Sequence, residues 1–226
     1  MSFVILSHKT HECVKSYLKK SGHTLIEVPS SATVYDAVSN HADIFVCRVR
    51  DTLFCAPEIS GILSDAGVSH ITGGIPGHDY PLNIRYNACT VGDIFIHNLK
   101  YTDDALLSFV KESGMKTVNV RQGYTKCSIA PVGSGIITAD EGIVRAMTGI
   151  GIDILKIHTG HVLLEGFDYG FFGGACGVVG DEFIVNGDLY KHPDGERIAD
   201  FVRAQGFKVV SFEGIPLCDI GSIIEV

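Results

Sequence analysis

Residues 216–226 read P-L-C-D-I-G-S-I-I-E-V. The stretch is apolar and β-branched, the character of a short strand. A strand needs partners for its backbone N–H and C=O groups. The matching segment is Ser2–Leu6 (S-F-V-I-L), at the other end of the sequence. Laying Cys218–Glu225 along Ser2–Leu6 closes the molecule like a clasp.

Outward from the clasp, one unit recurs in the order strand, turn, strand, helix, glycine, strand. One copy runs Asp43–Val49, Arg50-Asp51, Thr52–Ala56, a helix Pro57–Ala66, Gly67 and Val68–Thr72. The next runs Asn87–Val91, Gly92-Asp93, Ile94–His97, a helix Thr102–Ser113, Gly114 and Met115–Val120. A third has Lys126–Pro131, Gly135–Thr138, a helix Asp140–Thr148, Gly151 and Ile152–Ile157. A fourth has Ala175–Val179, Gly180-Asp181, Glu182–Asn186, a helix Pro193–Gln205, Gly206 and Phe207–Phe212. The N-terminal copy starts halfway, at Ser2–Leu6, with a helix to about Lys20, Gly22 and Thr24–Val28; its missing first strand is the C-terminal one.

Thr102 and Asp140 stand where helix N-caps belong, and Pro57 and Pro193 where helix starts tolerate proline. Gly22, Gly67, Gly114 and Gly206 follow helical runs. No linker or low-complexity segment interrupts the pattern. The expectation is one α/β domain over 1–226, a propeller of fivefold pseudo-symmetry. Its units are about 1–28 plus 216–226, 41–72, 85–120, 125–157 and 174–212.

Composition narrows the function classes. The chain has 226 residues, 46% hydrophobic and 19% charged, enough to bury a sizeable core. The net charge of −8 without a basic cluster argues against a nucleic-acid surface. No apolar run reaches the roughly 18 residues of a membrane helix, and the N-terminal residues do not read as a signal peptide. Seven cysteines in a chain of this length are expected as free thiols in the cytoplasm.

Five of those cysteines, Cys47, Cys89, Cys127, Cys176 and Cys218, each precede an apolar residue by two, in C-R-V, C-T-V, C-S-I, C-G-V and C-D-I. Placed at one repeat position, they would form a layer around the axis. Such a layer is either a packing slot for a small hydrophobe or a soft-metal ring.

The unit order and the late cysteine resemble the pentein fold of guanidine-modifying enzymes, including dimethylarginine hydrolases, arginine and agmatine deiminases and amidinotransferases. More narrowly, V-R-Q-G-Y-T-K-C-S-I, L-L-E-G-F-D-Y-G-F-F-G-G and P-L-C-D-I-G-S-I-I resemble an uncharacterised bacterial pentein family, DUF6873. The enzymes of the fold carry a nucleophilic cysteine near the C-terminus, and Cys218 matches it. Their general acid/base histidine falls at Gln122 here, and their substrate-holding acid near Asn87. An amide neither moves a proton at neutral pH nor neutralises a guanidinium. The resemblance therefore implies the fold and a candidate nucleophile, while the usual histidine and one anion are missing.

Other residues can line the same mouth. Asp219 points away from Cys218 on an ideal strand, unless Gly221 marks a bulge that turns it to the same mouth. Asp168 and Tyr169 lie in the glycine-rich loop before Cys176, which reads equally as an ordinary tight loop. His78 and Asp79 offer an acid/base pair or a simple turn. Arg85, Arg121 and Lys126 offer cations to lower a thiol pKa or hold a carboxylate, or plain rim charges. Tyr124, Cys127 and Cys176 complete the expected ligand-binding set. His11 and Cys13 share no metal-ligand spacing with another pair.

Three function classes remain: a pocket for a small polar ligand with thiol chemistry at Cys218; a cysteine hydrolase or transferase cutting a C–N bond of a guanidine, ureido or amidine group; and a non-catalytic protein-binding pentein or a metal site on the cysteine ring. The residues leave open whether the pocket is catalytic. A small-molecule ligand is expected, with no cofactor, nucleic acid or membrane; a protein partner or homo-oligomer is compatible.

Overall fold

The computed structural model describes residues 2–226. Strand β1 (Phe3–Ser7) leads through α1 (Glu12–Lys20) to β2 (Thr24–Val28). A helical turn α2 (Ala42–Phe45) precedes β3 (Val46–Val49), β4 (Thr52–Cys55), α3 (Pro57–Asp65) and β5 (Ile71–Thr72). Then come β6 (Cys89–Val91), β7 (Ile94–His97), α4 (Asp104–Glu112) and β8 (Lys116–Asn119). A second helical turn α5 (Thr125–Ser128) opens β9 (Ile129–Val132), β10 (Gly135–Thr138), α6 (Glu141–Met147) and β11 (Asp153–Lys156). The last copy is β12 (Cys176–Val179), β13 (Glu182–Val185), α7 (Gly195–Ala204) and β14 (Lys208–Val210), and β15 (Ile224–Glu225) follows.

These strands form five three-stranded sheets. In each, the middle strand pairs antiparallel with the first and parallel with the third. The clasp is present: β15 pairs with β1, placing Val4 opposite Glu225 and Ile5 opposite Ile224. It is shorter than the sequence suggests, because Gly221 and Ser222 both have φ +71°, which no strand accommodates. Cys218 therefore lies in a loop, bridged to Leu163, and not on the clasp strand.

Each long helix buries its apolar stripe between its own sheet and a neighbour. Ile59 and Leu63 of α3 share a cluster with Ile5 and Phe54, and Leu106 and Val110 of α4 with Phe54 and Phe95. Ile143 and Met147 of α6 join Ile96 and Ile136. Ile198 and Val202 of α7 join Ile137 and Phe183, while Val14 and Leu18 of α1 join Val4 and Ile184. The last contact links the final sheet to the first and closes the ring. Each such Leu, Ile or Val contributes roughly 1.5–3 kcal/mol on burial.

Several boundaries differ from expectation. The α4 cap is Asp103, not Thr102: its Oδ1 accepts from Ala105 N at 3.0 Å and Leu106 N at 3.4 Å. Asp140 caps α6 as expected, accepting from Ile143 N at 2.8 Å. Pro193 stays outside α7, which begins at Gly195. Asp43 and Lys126, expected in first strands, lie instead in the helical turns α2 and α5.

The five cysteines are not equivalent. The strand tips Val49, Val91, Val132 and Val179 pair with the starts of their partner strands, and Val226 is bonded to Phe3 in the same way. Cys47 and Cys89 stand two residues before their tips, Cys176 three, Cys127 five and Cys218 eight. Spacing to the next apolar residue gave a false register, because first strands and the turns before them are both apolar. The layer of five thiols does not form.

Candidate functional site

The first strands leave an opening at each end of the axis. At the hairpin-turn end, a cavity of about 320 Å³ is lined by all five first strands, among them Cys47, Thr90, Pro131, Cys176 and Glu225, with Lys126 reaching in. At the strand-start end, a second cavity of about 320 Å³ is lined by Tyr35, Val38, His41, Tyr124, Cys127, Leu164, Phe167, Asp168, Tyr169, Phe171 and Asp219. The second combines aromatic walls with a buried polar floor and is the candidate site.

The floor is built by the segments just before the first strands. His41 precedes α2 and Asp43 lies within it; Cys127 lies in α5; Asp219 and Ser222 come from the loop before β15. Asp43 and Lys126 each stand six residues before their strand tips, so opposite charges occupy equivalent positions in two units. They meet through Ser222: Lys126 Nζ donates to Ser222 Oγ at 3.0 Å, and Ser222 Oγ donates to Asp43 Oδ2 at 2.7 Å. Cys127 Sγ donates to the same Oδ2 at 3.0 Å, and Asn87 Nδ2 donates to Cys127 Sγ at 3.2 Å. Asn87 Oδ1 fixes the turn by accepting from Lys126 N at 2.8 Å and Cys127 N at 3.3 Å.

Asp219 is held from two sides. Its Oδ2 accepts from Phe171 N at 2.8 Å and its Oδ1 from Gly221 N at 3.0 Å. Gly174 packs so closely on this carboxylate that any Cβ there would overlap Oδ1, and a Cβ on Gly221 would overlap His41. The glycine-rich loop thus lets backbone approach the acid.

Burial governs the protonation states. It pushes the Asp219 carboxyl up to about 6, against the two backbone N–H donors and Lys126, and it also raises Asp43. It lowers His41 to about 4, outweighing Asp43, so the imidazole is neutral at pH 7. His41 Nδ1 lies 3.7 Å from Asp219 Oδ1, too far for a hydrogen bond. Burial, then Asp43, drive the Cys127 thiol well above its ordinary range, so it is held as S–H.

The walls are aromatic. Tyr124 OH bonds Tyr35 OH at 2.8 Å and accepts from Asn83 Nδ2 at 2.9 Å. Tyr124 packs on Phe171 and Tyr35 on Phe167, with ring centroids 6.4 and 6.2 Å apart.

The sequence-derived candidates separate into groups. Asp219, Tyr124, Cys127, Asp168 and Tyr169 line the cavity, and Asn87 supports its floor. Cys218, half-buried, is outside that lining; burial and then Asp219 raise its thiol. Gln122 lines a neighbouring cavity of about 390 Å³ with Asp140 and His158, and its Nε2 donates to Asp140 Oδ2 at 3.1 Å. His78 and Asp79 pair with each other at 2.8 Å on the exposed surface. Arg85 binds the cap carboxylate Asp103 at 2.9 Å. Arg121 is exposed. Lys126 and Cys176 line the opposite cavity, with Lys126 reaching the floor through Ser222.

Sequence reasoning missed His41, Asp43, Ser222, Tyr35, Phe167 and Phe171. A charge inside the apolar run H-A-D-I-F-V, at the repeat position of Lys126, was the available signal for Asp43.

Five hairpin–helix–strand sheets around an axial site define the pentein class, the fold of guanidine-modifying enzymes. Among solved structures, a dimethylarginine dimethylaminohydrolase in an adduct with S-methyl-L-thiocitrulline is 13% identical, with a TM-score of 0.56 over 93% of this chain and 91% of that one. A C. jejuni agmatine deiminase with substrate bound is 11% identical, with a TM-score of 0.58 over 99% and 92%. At such identities the likeness is one of fold. No curated protein matches the sequence. Within the class, the chain belongs to the family of unknown function DUF6873, whose model matches residues 5–224.

Proposed function

We propose that the axial cavity binds one small molecule with a planar, hydrogen-bond-donating head of the amidine, ureido or guanidine class. The carrying observation is Asp219, a fully buried carboxylate on an aromatic-walled cavity of about 320 Å³. Each carboxylate oxygen accepts one backbone N–H and keeps a lone pair for a ligand donor. Aromatic faces favour a planar cation, and the volume is at the small end for ligand sites. The guanidine and isothiourea compounds in the names of the fold neighbours, dimethylarginine, agmatine and S-methyl-L-thiocitrulline, support the same class.

Benzamidine is the probe, with the isosteric but neutral benzamide as its control. By calorimetry at pH 7, benzamidine should bind and benzamide should bind more weakly. Asp219→Asn should weaken benzamidine by roughly 10- to 100-fold, the value of a hydrogen bond to a charged group. Equal binding of the two probes, or an unaffected Asp219→Asn variant, rejects the reading.

Thiol chemistry on such a ligand is a second reading, favoured by Cys127 on the cavity wall with its S–H donated to Asp43, the group that would take the proton. Chloroacetamidine tests it: the sulfur displaces chloride and the thiol proton is released. Labelling of Cys127 or Cys218 that benzamidine blocks supports it. Labelling indifferent to benzamidine leaves the cavity a binding site only.

A further inference from the structure

Beneath the ligand-binding surface, three unlike donors converge. His41, Asp43 and Cys127 are buried, and their donor atoms all lie within 4.8 Å of one another. Two of those groups are unsatisfied: His41 Nδ1 and Asp43 Oδ1 are buried without a hydrogen-bond partner. Such orphans cost roughly 1–3 kcal/mol each, and both belong to residues of this one donor cluster. A thiol, an imidazole nitrogen and a carboxylate form a donor set that selects zinc over magnesium or calcium.

We propose that His41 Nδ1, an Asp43 carboxylate oxygen and Cys127 Sγ bind one soft divalent cation, zinc above all, at the floor of the axial cavity. Metal–ligand bonds of about 2.0–2.3 Å around a tetrahedral ion place donors roughly 3.5 Å apart. Cys127 Sγ and Asp43 Oδ2 already lie 3.0 Å apart, and shifts of about an ångström bring the remaining donors to that spacing. The proton now bridging that sulfur and oxygen is the one the ion displaces into solvent. The product is charge-balanced: one thiolate and one carboxylate offset the two positive charges, with His41 neutral. Asp219 is left free for the ligand. His41 and Cys127 both reach the cavity wall, so the fourth coordination position faces the cavity, the arrangement of a zinc site that keeps one position open. Ser222 and Asn87, bonded to Asp43 and Cys127, orient these ligands from outside. The site stands whichever ligand fills the cavity, and its test does not depend on ligand binding.

The test uses the full chain, reduced and stripped with a chelator, then titrated with cobalt(II) and afterwards zinc. One equivalent of cobalt should give thiolate-to-cobalt charge-transfer absorption and the visible bands of a tetrahedral ion, and zinc should abolish both. Cys127→Ser should lose the charge-transfer band. Asp43→Asn, shown to be folded by circular dichroism, should lose more affinity than the roughly 10- to 100-fold that removal of an outer partner costs. Cys218→Ser should titrate like the parent. X-ray absorption on the zinc-loaded parent needs no variant and should find one sulfur among nitrogen and oxygen ligands. No cobalt bound at one equivalent, two or more sulfurs on zinc, or a folded Cys127→Ser that keeps the parent spectrum overturns the proposal.

Discussion

A carboxyl group and an imidazole share one buried wall, and burial moves each towards its neutral form. Asp219 rises to about 6 and His41 falls to about 4. For Asp219 the folded pKa lies above the ordinary value of about 3.9. The folded state therefore holds a proton that the unfolded state releases, and this contribution to stability is lost as pH rises from about 4 through 6. For His41 the sign is opposite, since the unfolded imidazole takes up a proton first and acid destabilises the fold. The two are separated by a difference measurement. Comparing urea unfolding of the parent and Asp219→Asn, the parent should gain roughly 1 kcal/mol on the variant between pH 7 and pH 5. A constant difference would show that Asp219 is not perturbed. The thiols yield a second expectation. Cys218 is raised by burial and Asp219, with no cation acting on it, so iodoacetamide should modify it only above the roughly 8.5 of a free thiol, and Arg121→Gln should leave the profile unchanged. An inflection near neutrality would contradict this. At this scale the sequence was half legible. Asp219, Tyr124, Cys127, Asp168 and Tyr169 were singled out from motifs, and all line the cavity. His41, Asp43 and Ser222 were not, because a short helical turn and a residue at φ +71° bring them inward, and neither has a strong signal in one sequence.

Secondary structure was easier to read, since each helix carries an apolar stripe and each hairpin a turn signal. The errors fall where strands begin. Asp43 and Lys126 lie in helical turns because their backbone groups are bound by partners distant in sequence: Asp43 N donates to Gly221 O at 3.0 Å, and Lys126 N to Asn87 Oδ1 at 2.8 Å. Local pattern holds no trace of such partners. The α4 cap shows the same limit. Thr102 and Asp103 are adjacent acceptors, and the structure chooses Asp103 because it also holds Arg85 and Gly74 N, each at 2.9 Å. Asp103→Ala should therefore cost more than a cap alone, roughly 2–3 kcal/mol, while Asp140→Ala, with fewer partners, should cost about 1 kcal/mol. Chemical denaturation of both variants checks the order; equal losses would show that the Arg85 pair contributes nothing.

The ring as a whole depends on its ends. Removing Gly221–Val226 deletes β15, buried Ile223, and Ser222 between Lys126 and Asp43. Lost burial and backbone pairing amount to several kcal/mol of the roughly 5–15 kcal/mol that holds a domain together. The melting temperature should fall by about 10 °C or more; an unchanged value would mean that the clasp is ornamental. The same closure brings Asp219, from the C-terminal loop, to the cavity that His41, Tyr124 and Phe171 form from other units. If that cavity exists to hold an amidine-like head on a buried carboxylate, ligand affinity must follow the ionisation of Asp219. The direct measurement is benzamidine affinity by calorimetry from pH 5 to pH 7.5. With Asp219 titrating at about 6, binding should be about tenfold weaker at pH 5 than at pH 7, levelling above pH 6.5 and losing this dependence in Asp219→Asn. An affinity that is flat across the range, or that strengthens in acid, would contradict the carboxylate's role in the site.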